Sequence, residues 1–222
     1  MKNVVFLCSG NGGNLRFVHK CIQRYSLPLN ISGVYADRKC VAVDVAKQAN
    51  IPVIVDKEFN KKLKQNVSTF KPDIIVTNVH QMVSTENLNH FLDCKWINLH
   101  YSLLPAFAGH IGMKAVALAR ERNCGFVGAT THEVTSELDA GTILQQVVFA
   151  ADWTQTDKKL SNTVFFSGAV LLLNSLLSAV NFEEEIDYTK NYCTKATAFH
   201  FSDALPLFGQ GIYEEIYQKI SE

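Results

Sequence analysis

The chain has 222 residues, 47% of them hydrophobic and 19% charged, a balance that supports a buried core and excludes a disordered chain. Lys plus Arg equals Asp plus Glu at 21 each, so no net charge draws the chain to nucleic acid or to an anionic membrane. Six cysteines stand at positions 8, 21, 40, 94, 124 and 193 without a C-x-x-C pair, and no histidine cluster has zinc spacing. That usage predicts reduced thiols in a cytoplasmic protein and no metal.

In chain order, the apolar segment beginning at Met1 ends at Ser9-Gly10-Asn11 with no small-residue cleavage site. It predicts a first strand rather than a signal peptide. Val4–Leu7, Ile31–Tyr35, Val53–Val55 and Ile74–Thr77 are too apolar for half-exposed strands, the pattern of strands buried on both faces of a parallel sheet. Between them, Leu15–Arg24, Val43–Ala49 and Phe59–Phe70 have helical spacing of apolar positions. Breaks at Ser26-Leu27-Pro28 and Lys71-Pro72-Asp73 set two boundaries. The β-α-β alternation implies an α/β fold with a doubly wound, mainly parallel sheet and right-handed crossovers.

Further strands are expected at Trp96–His100, Phe126–Glu133 and Ile143–Ala150, the last two close enough to pair antiparallel. A long helix should follow over 157–180. Its apolar stretch 168–180 is broken by Asn174 and Ser175 and is too short to span a bilayer, so it predicts a buried helix. Glu183-Glu184-Glu185 suits a solvated loop. The expected organisation is one domain over 1–182, with a polar, aromatic-containing appendix over 183–222 packed on it.

Two stretches carry chemistry. Gly10-Asn11-Gly12-Gly13-Asn14 joins the first strand to the first helix, where glycines allow close backbone approach and helix amides favour an anion. Its spacing is neither G-x-G-x-x-G nor a Walker A loop, so a tight structural turn fits it equally well. In Trp96–Pro105, strand alternation points Asn98 and His100 the same way, at the sheet edge where open α/β proteins bind ligands. The later loop Ser136–Gly141 offers Asp139. An amide, an imidazole and a carboxylate suit acyl transfer to nitrogen. Asn98 and a protonated His100 would stabilise the oxyanion, while Asp139 would keep His100 protonated and move protons. Taken singly, each residue also suits a structural hydrogen bond or a turn.

Jointly, Asn98-Leu99-His100, Ser102-Leu103-Leu104-Pro105, Gly109 and Leu138-Asp139-Ala140-Gly141 resemble the formyltransferase family that uses 10-formyltetrahydrofolate. Residues 9–15 resemble its purine-pathway branch, the phosphoribosylglycinamide formyltransferases, and Lys71–Val76 resembles the family's strand before the folate pocket. The likeness spans roughly residues 3–180. It implies 10-formyltetrahydrofolate as co-substrate, no metal, and catalysis by Asn98, His100 and Asp139. It places folate against Met82, Val83, Val134, Glu137 and Leu138. It places the acceptor against Gly10, Asn11, Gly12, Gly13, Asn14 and His132.

The implied partner is a small phosphorylated amine, with glycinamide ribonucleotide first, and the protein is a monomer or homodimer without nucleic-acid or membrane partners. The match departs towards the acceptor. Tyr101 stands where the family has Pro, Gly13 where the phosphate loop has Ser, and His110-Ile111-Gly112-Met113 where the branch has a His-rich helix start. Asn78–Met82 replaces a Gly-Phe-Met segment, and Phe165–Ala169 replaces an acidic helix contact. These departures keep open a nucleotide-linked amino sugar or another small amine as acceptor, as does a tail segment, 194–199, that resembles amino-sugar and aminoacyl-tRNA relatives. A formate-releasing hydrolase is the third reading. Such relatives carry an added N-terminal regulatory domain, whereas this chain opens on its first strand.

Overall fold

The computed structural model describes residues 1–110, 112–182 and 200–201. They fall into two compact units. The first holds residues 1–98 and 133–141, the second 99–132 and the described residues from 142 onward.

The first unit alternates strand and helix, giving an α/β fold with a parallel sheet, as the sequence pattern predicts. Its strands are β1 (Lys2–Cys8), β2 (Leu29–Ala36), β3 (Val53–Val55), β4 (Ile74–Asn78) and β5 (Lys95–His100), in the order β3-β2-β1-β4-β5. The last two residues of β5, Leu99 and His100, pass into the second unit. Val4–Leu7 at the centre are fully buried, because helices cover both faces.

Chain order reverses between β1 and β4. Right-handed crossovers therefore put α1 (Gly13–Tyr25) and α2 (Val41–Gln48) on one face, with α3 (Phe59–Ser68) and α4 (Thr85–His90) on the other. Accordingly α1 touches α2, and α3 touches α4. Val5, Leu7, Phe59, Leu63, Val67 and Ile75 form one core cluster between sheet and helix, each burial stabilising by about 1.5–3 kcal/mol.

Two details depart from expectation. β3 is half-exposed rather than buried on both faces, because it pairs only with β2 at the sheet edge. The short helix α4 has too few turns to show a period, and its start is set by Ser84, whose hydroxyl accepts from the Asn87 amide at 3.4 Å.

The second unit carries α5 (Lys114–Glu121), also unmarked by a clear period, and the antiparallel strands β6 (Phe126–Glu133), β7 (Ile143–Ala150) and β8 (His200–Phe201). The expected hairpin of β6 and β7 forms with those boundaries. The long helix α6 (Asp157–Ala179) is capped by Thr156, which accepts from the Lys159 amide. It is long and apolar enough to cross a membrane, but 78% of its most apolar window is buried, so internal packing accounts for its composition.

Its interrupting polar residues are satisfied inside the core. Asn174 donates to Gln145 at 2.6 Å, Ser175 donates to the same oxygen at 3.0 Å, and Thr131 lies 2.6 Å from the Ser175 hydroxyl. This network ties α6 to β6 and β7 and explains why Asn174 and Ser175 do not end the helix. The acidic run at 183–185 and the appendix, apart from the backbone of β8, lie outside the described residues.

Candidate active site

At the carboxyl edge of the first unit's sheet, the reversal between β1 and β4 leaves the loops after both strands side by side. Gly12 caps α1 with φ 70°, and a Cβ there would stand 2.7 Å from the Ala42 Cα. Glycine is thus dictated by the turn and by close packing, whatever the loop binds. The loop is bolted at Ser9, whose hydroxyl accepts from the His80 amide at 3.0 Å and hydrogen-bonds Asp37. Asp37 is buried at the end of β2. Arg38 grips it at 2.9 and 2.7 Å, and Gln81 donates to it at 3.2 Å.

Burial alone would raise the Asp37 carboxyl's pKa, but hydrogen bonds from Arg38, Ser9 and Gln81 hold it below the usual range. A lowered folded value means that ionised Asp37 stabilises the fold above the unfolded carboxylate pKa of about 3.9, and that this contribution is lost as pH falls through the lower folded value. The protein should lose stability below about pH 4, and Asp37→Asn should flatten that loss. Denaturant unfolding of both proteins across pH 2–7 (about that range) measures it; parallel curves would remove Asp37 from the account.

Asn98 lies directly opposite Thr77 in the β4–β5 register. Its side-chain amide donates to the Thr77 carbonyl at 2.9 Å and to the Thr77 hydroxyl at 2.8 Å. His100, two residues on along β5, is buried, with Nε2 at 3.2 Å from the Phe107 carbonyl. A carbonyl only accepts, so Nε2 is the donor in this contact.

The loop 133–141 returns to the first unit. It is pinched at its base, where a Cβ on Gly141 would meet the Glu133 carbonyl oxygen at 1.8 Å. Val134 packs on the core cluster that contains Val83, which anchors the start of the loop to the first unit's core. Met82 and Leu138 are exposed large apolar side chains, at 49% and 54%, and Glu137 is exposed. Asp139 is half-buried with φ 53°, a left-handed conformation that Asp tolerates.

The first unit thus holds the glycine loop, Asn98, Met82, Val83 and the loop bearing Val134, Glu137, Leu138 and Asp139. His100 and His132 belong to the second unit, where His132 is buried on β6 opposite Ile143. Asn14 is buried in the first turn of α1. Sequence reasoning missed Thr77 and the Ser9–Asp37–Gln81 brace. A threonine closing the apolar run Ile74–Val76 was the one visible signal of the first. Among the described residues, no group of three or more His, Cys, Asp or Glu is placed to hold a metal.

A family model described as formyl transferase matches residues 2–176. The chain belongs to the formyltransferase family. Among curated relatives, the formyltetrahydrofolate deformylase of Escherichia coli K12 is 35% identical over 99 residues, which is 45% of this chain and 34% of the relative. This formyltransferase-family chain therefore spans about a third of that relative's length. The methionyl-tRNA formyltransferase of Corynebacterium glutamicum strain R is 27% identical over 139 residues, 60% of this chain and 43% of the relative. The crystal structure of glycinamide ribonucleotide transformylase 1 from Symbiobacterium toebii matches with TM-score 0.74 at 23% identity, covering 82% of this chain and 89% of that one. At that identity the likeness establishes the fold.

The Tyr101 ring lies against α6 so closely that a Cβ on Gly168 would stand 3.0 Å from it, and it also meets Phe165 at 5.8 Å between centroids. A side chain at 168 would press on the Tyr101 ring, which would have to give way to admit it.

Proposed function

We propose that this chain transfers the formyl group of 10-formyltetrahydrofolate to the primary amine of a small phosphorylated acceptor, with glycinamide ribonucleotide the first candidate. The observation that carries this reading is the end of β5, where Asn98 and His100 stand two residues apart on one strand face inside the family-matched stretch. The glycine loop at the start of α1 supports a phosphate on the acceptor. Exposed Met82 and Leu138, on the segments joined by the packing of Val134 on the Val83 cluster, support an apolar rim for a pterin ring.

In this reading the amine nitrogen attacks the formyl carbon and the carbonyl electrons move onto oxygen. Asn98 and His100 stabilise that oxyanion, with a donor of this kind worth about 3–4 kcal/mol. Collapse breaks the bond to N10 of the folate, which takes up a proton as the amine loses one, and Asp139 serves that proton transfer. No nucleophilic side chain is required.

A second reading, release of formate to water, is favoured by the deformylases among the curated relatives. One experiment separates them. The protein is supplied with 10-formyltetrahydrofolate and a panel of amines that includes glycinamide ribonucleotide and nucleotide-linked amino sugars, and both folate release and formate are followed. The proposal expects folate release that depends on one amine and yields its N-formyl product. Formate released equally with and without every amine would overturn it for hydrolysis.

A further inference from the structure

We propose that Thr77 is a positioning residue for formyl transfer, setting the plane of the Asn98 amide and holding in reserve the donor that Asn98 gives to the oxyanion. The inference rests on the formyl-transfer reading above. The amide nitrogen donates to two acceptors of one residue, at 2.9 Å to the Thr77 carbonyl and 2.8 Å to its hydroxyl. Two bonds to a single neighbour fix the amide's rotation about the side chain, which one bond would not do. Thr77 can do this because it is itself rigid. It is buried, β-branched, and placed between Leu7 of β1 and Asn98 of β5 in the sheet register.

The two bonds differ in consequence. The backbone carbonyl is part of the sheet and cannot move away. The hydroxyl is a neutral acceptor, so its bond to the amide is worth only a modest net amount. A formyl oxygen that gathers negative charge is a stronger acceptor, because bonds to ionised acceptors are about twice as strong as neutral ones. The amide therefore keeps its carbonyl bond and trades the hydroxyl for the oxyanion as charge develops. An interaction made in this way strengthens towards the transition state and raises turnover rather than substrate affinity. The resting hydroxyl bond also keeps the donor from turning to solvent between cycles.

The test compares wild type with Thr77→Val, which keeps size and branching but removes the hydroxyl, and with Thr77→Ser, which keeps the hydroxyl. With 10-formyltetrahydrofolate and glycinamide ribonucleotide, Thr77→Val should lower kcat about tenfold and leave both KM values within about twofold, while Thr77→Ser should restore most of the loss. Unchanged or raised kcat in Thr77→Val, or a loss that serine does not rescue, overturns the proposal. A second measurement needs no turnover. In wild type the two Asn98 side-chain amide protons, read by nitrogen-15 NMR, should exchange with water slowly, and in Thr77→Val at least about tenfold faster. Equal exchange in both proteins overturns the positioning role. A wild type inactive on every amine but with a protected Asn98 amide would instead sink the formyl-transfer reading and leave the Thr77 contact standing.

Discussion

His100→Ala lowers formyl-transfer turnover by at least about a hundredfold, with folate affinity little changed, if His100 acts on the transferring group. The expectation rests on the place of His100 at the carboxyl end of β5 and on its buried contact with the Phe107 carbonyl, in which Nε2 is the donor. Because the side chain is buried, its removal also deprives that carbonyl of a donor, at a cost of about 1–3 kcal/mol in stability. His100→Gln separates the two effects, since its amide can still donate to Phe107 but cannot be protonated. Turnover by folate release and stability by denaturant unfolding are measured for both variants. Both should lose activity alike, with the glutamine variant the more stable. Near-wild-type turnover in either stable variant would remove His100 from the chemistry.

Asp139→Asn should be a folded protein that binds a folate analogue as wild type does and transfers formyl at least about a hundredfold more slowly. Asp139 sits at φ 53°, where Asn is accepted as readily as Asp, while most residues would add about 1 kcal/mol or more of strain. The loop is also closed independently, by Gly141 against Glu133 and by Val134 in the core cluster. Asparagine therefore keeps the loop and removes only the charge and the proton acceptor. Calorimetric binding of a folate analogue, set beside turnover, reads the two apart. Full turnover would end the proposed role, and an unfolded variant would mark Asp139 as a turn residue.

Local sequence was enough for most elements of the fold. Strongly apolar runs bounded by Gly, Pro and polar clusters marked β1, β2 and β4, and β6 and β7 were expected with their observed ends. Such strands are legible because burial on one or two faces is written directly into adjacent residues. The helix α4 was not, since six residues do not complete two turns. β3 was legible as a strand but not as an edge, because exposure there follows from which neighbour it lacks.

By itself the sequence determined the β-α-β order, the glycine loop between β1 and α1, the shared face of Asn98 and His100, and the motif set that marks the formyltransferase family. Each of these is carried by neighbouring residues or by short spacings. Only the tertiary structure decided that the Asn98 amide is held by Thr77, 21 residues away, and that Asp37 reaches Gln81 across 44 residues to brace the loop at Ser9. It alone showed that the Tyr101 ring packs closely against Gly168 of α6. Partners of this kind are chosen by strand order and register, which follow from how the whole sheet packs, and no local periodicity records them.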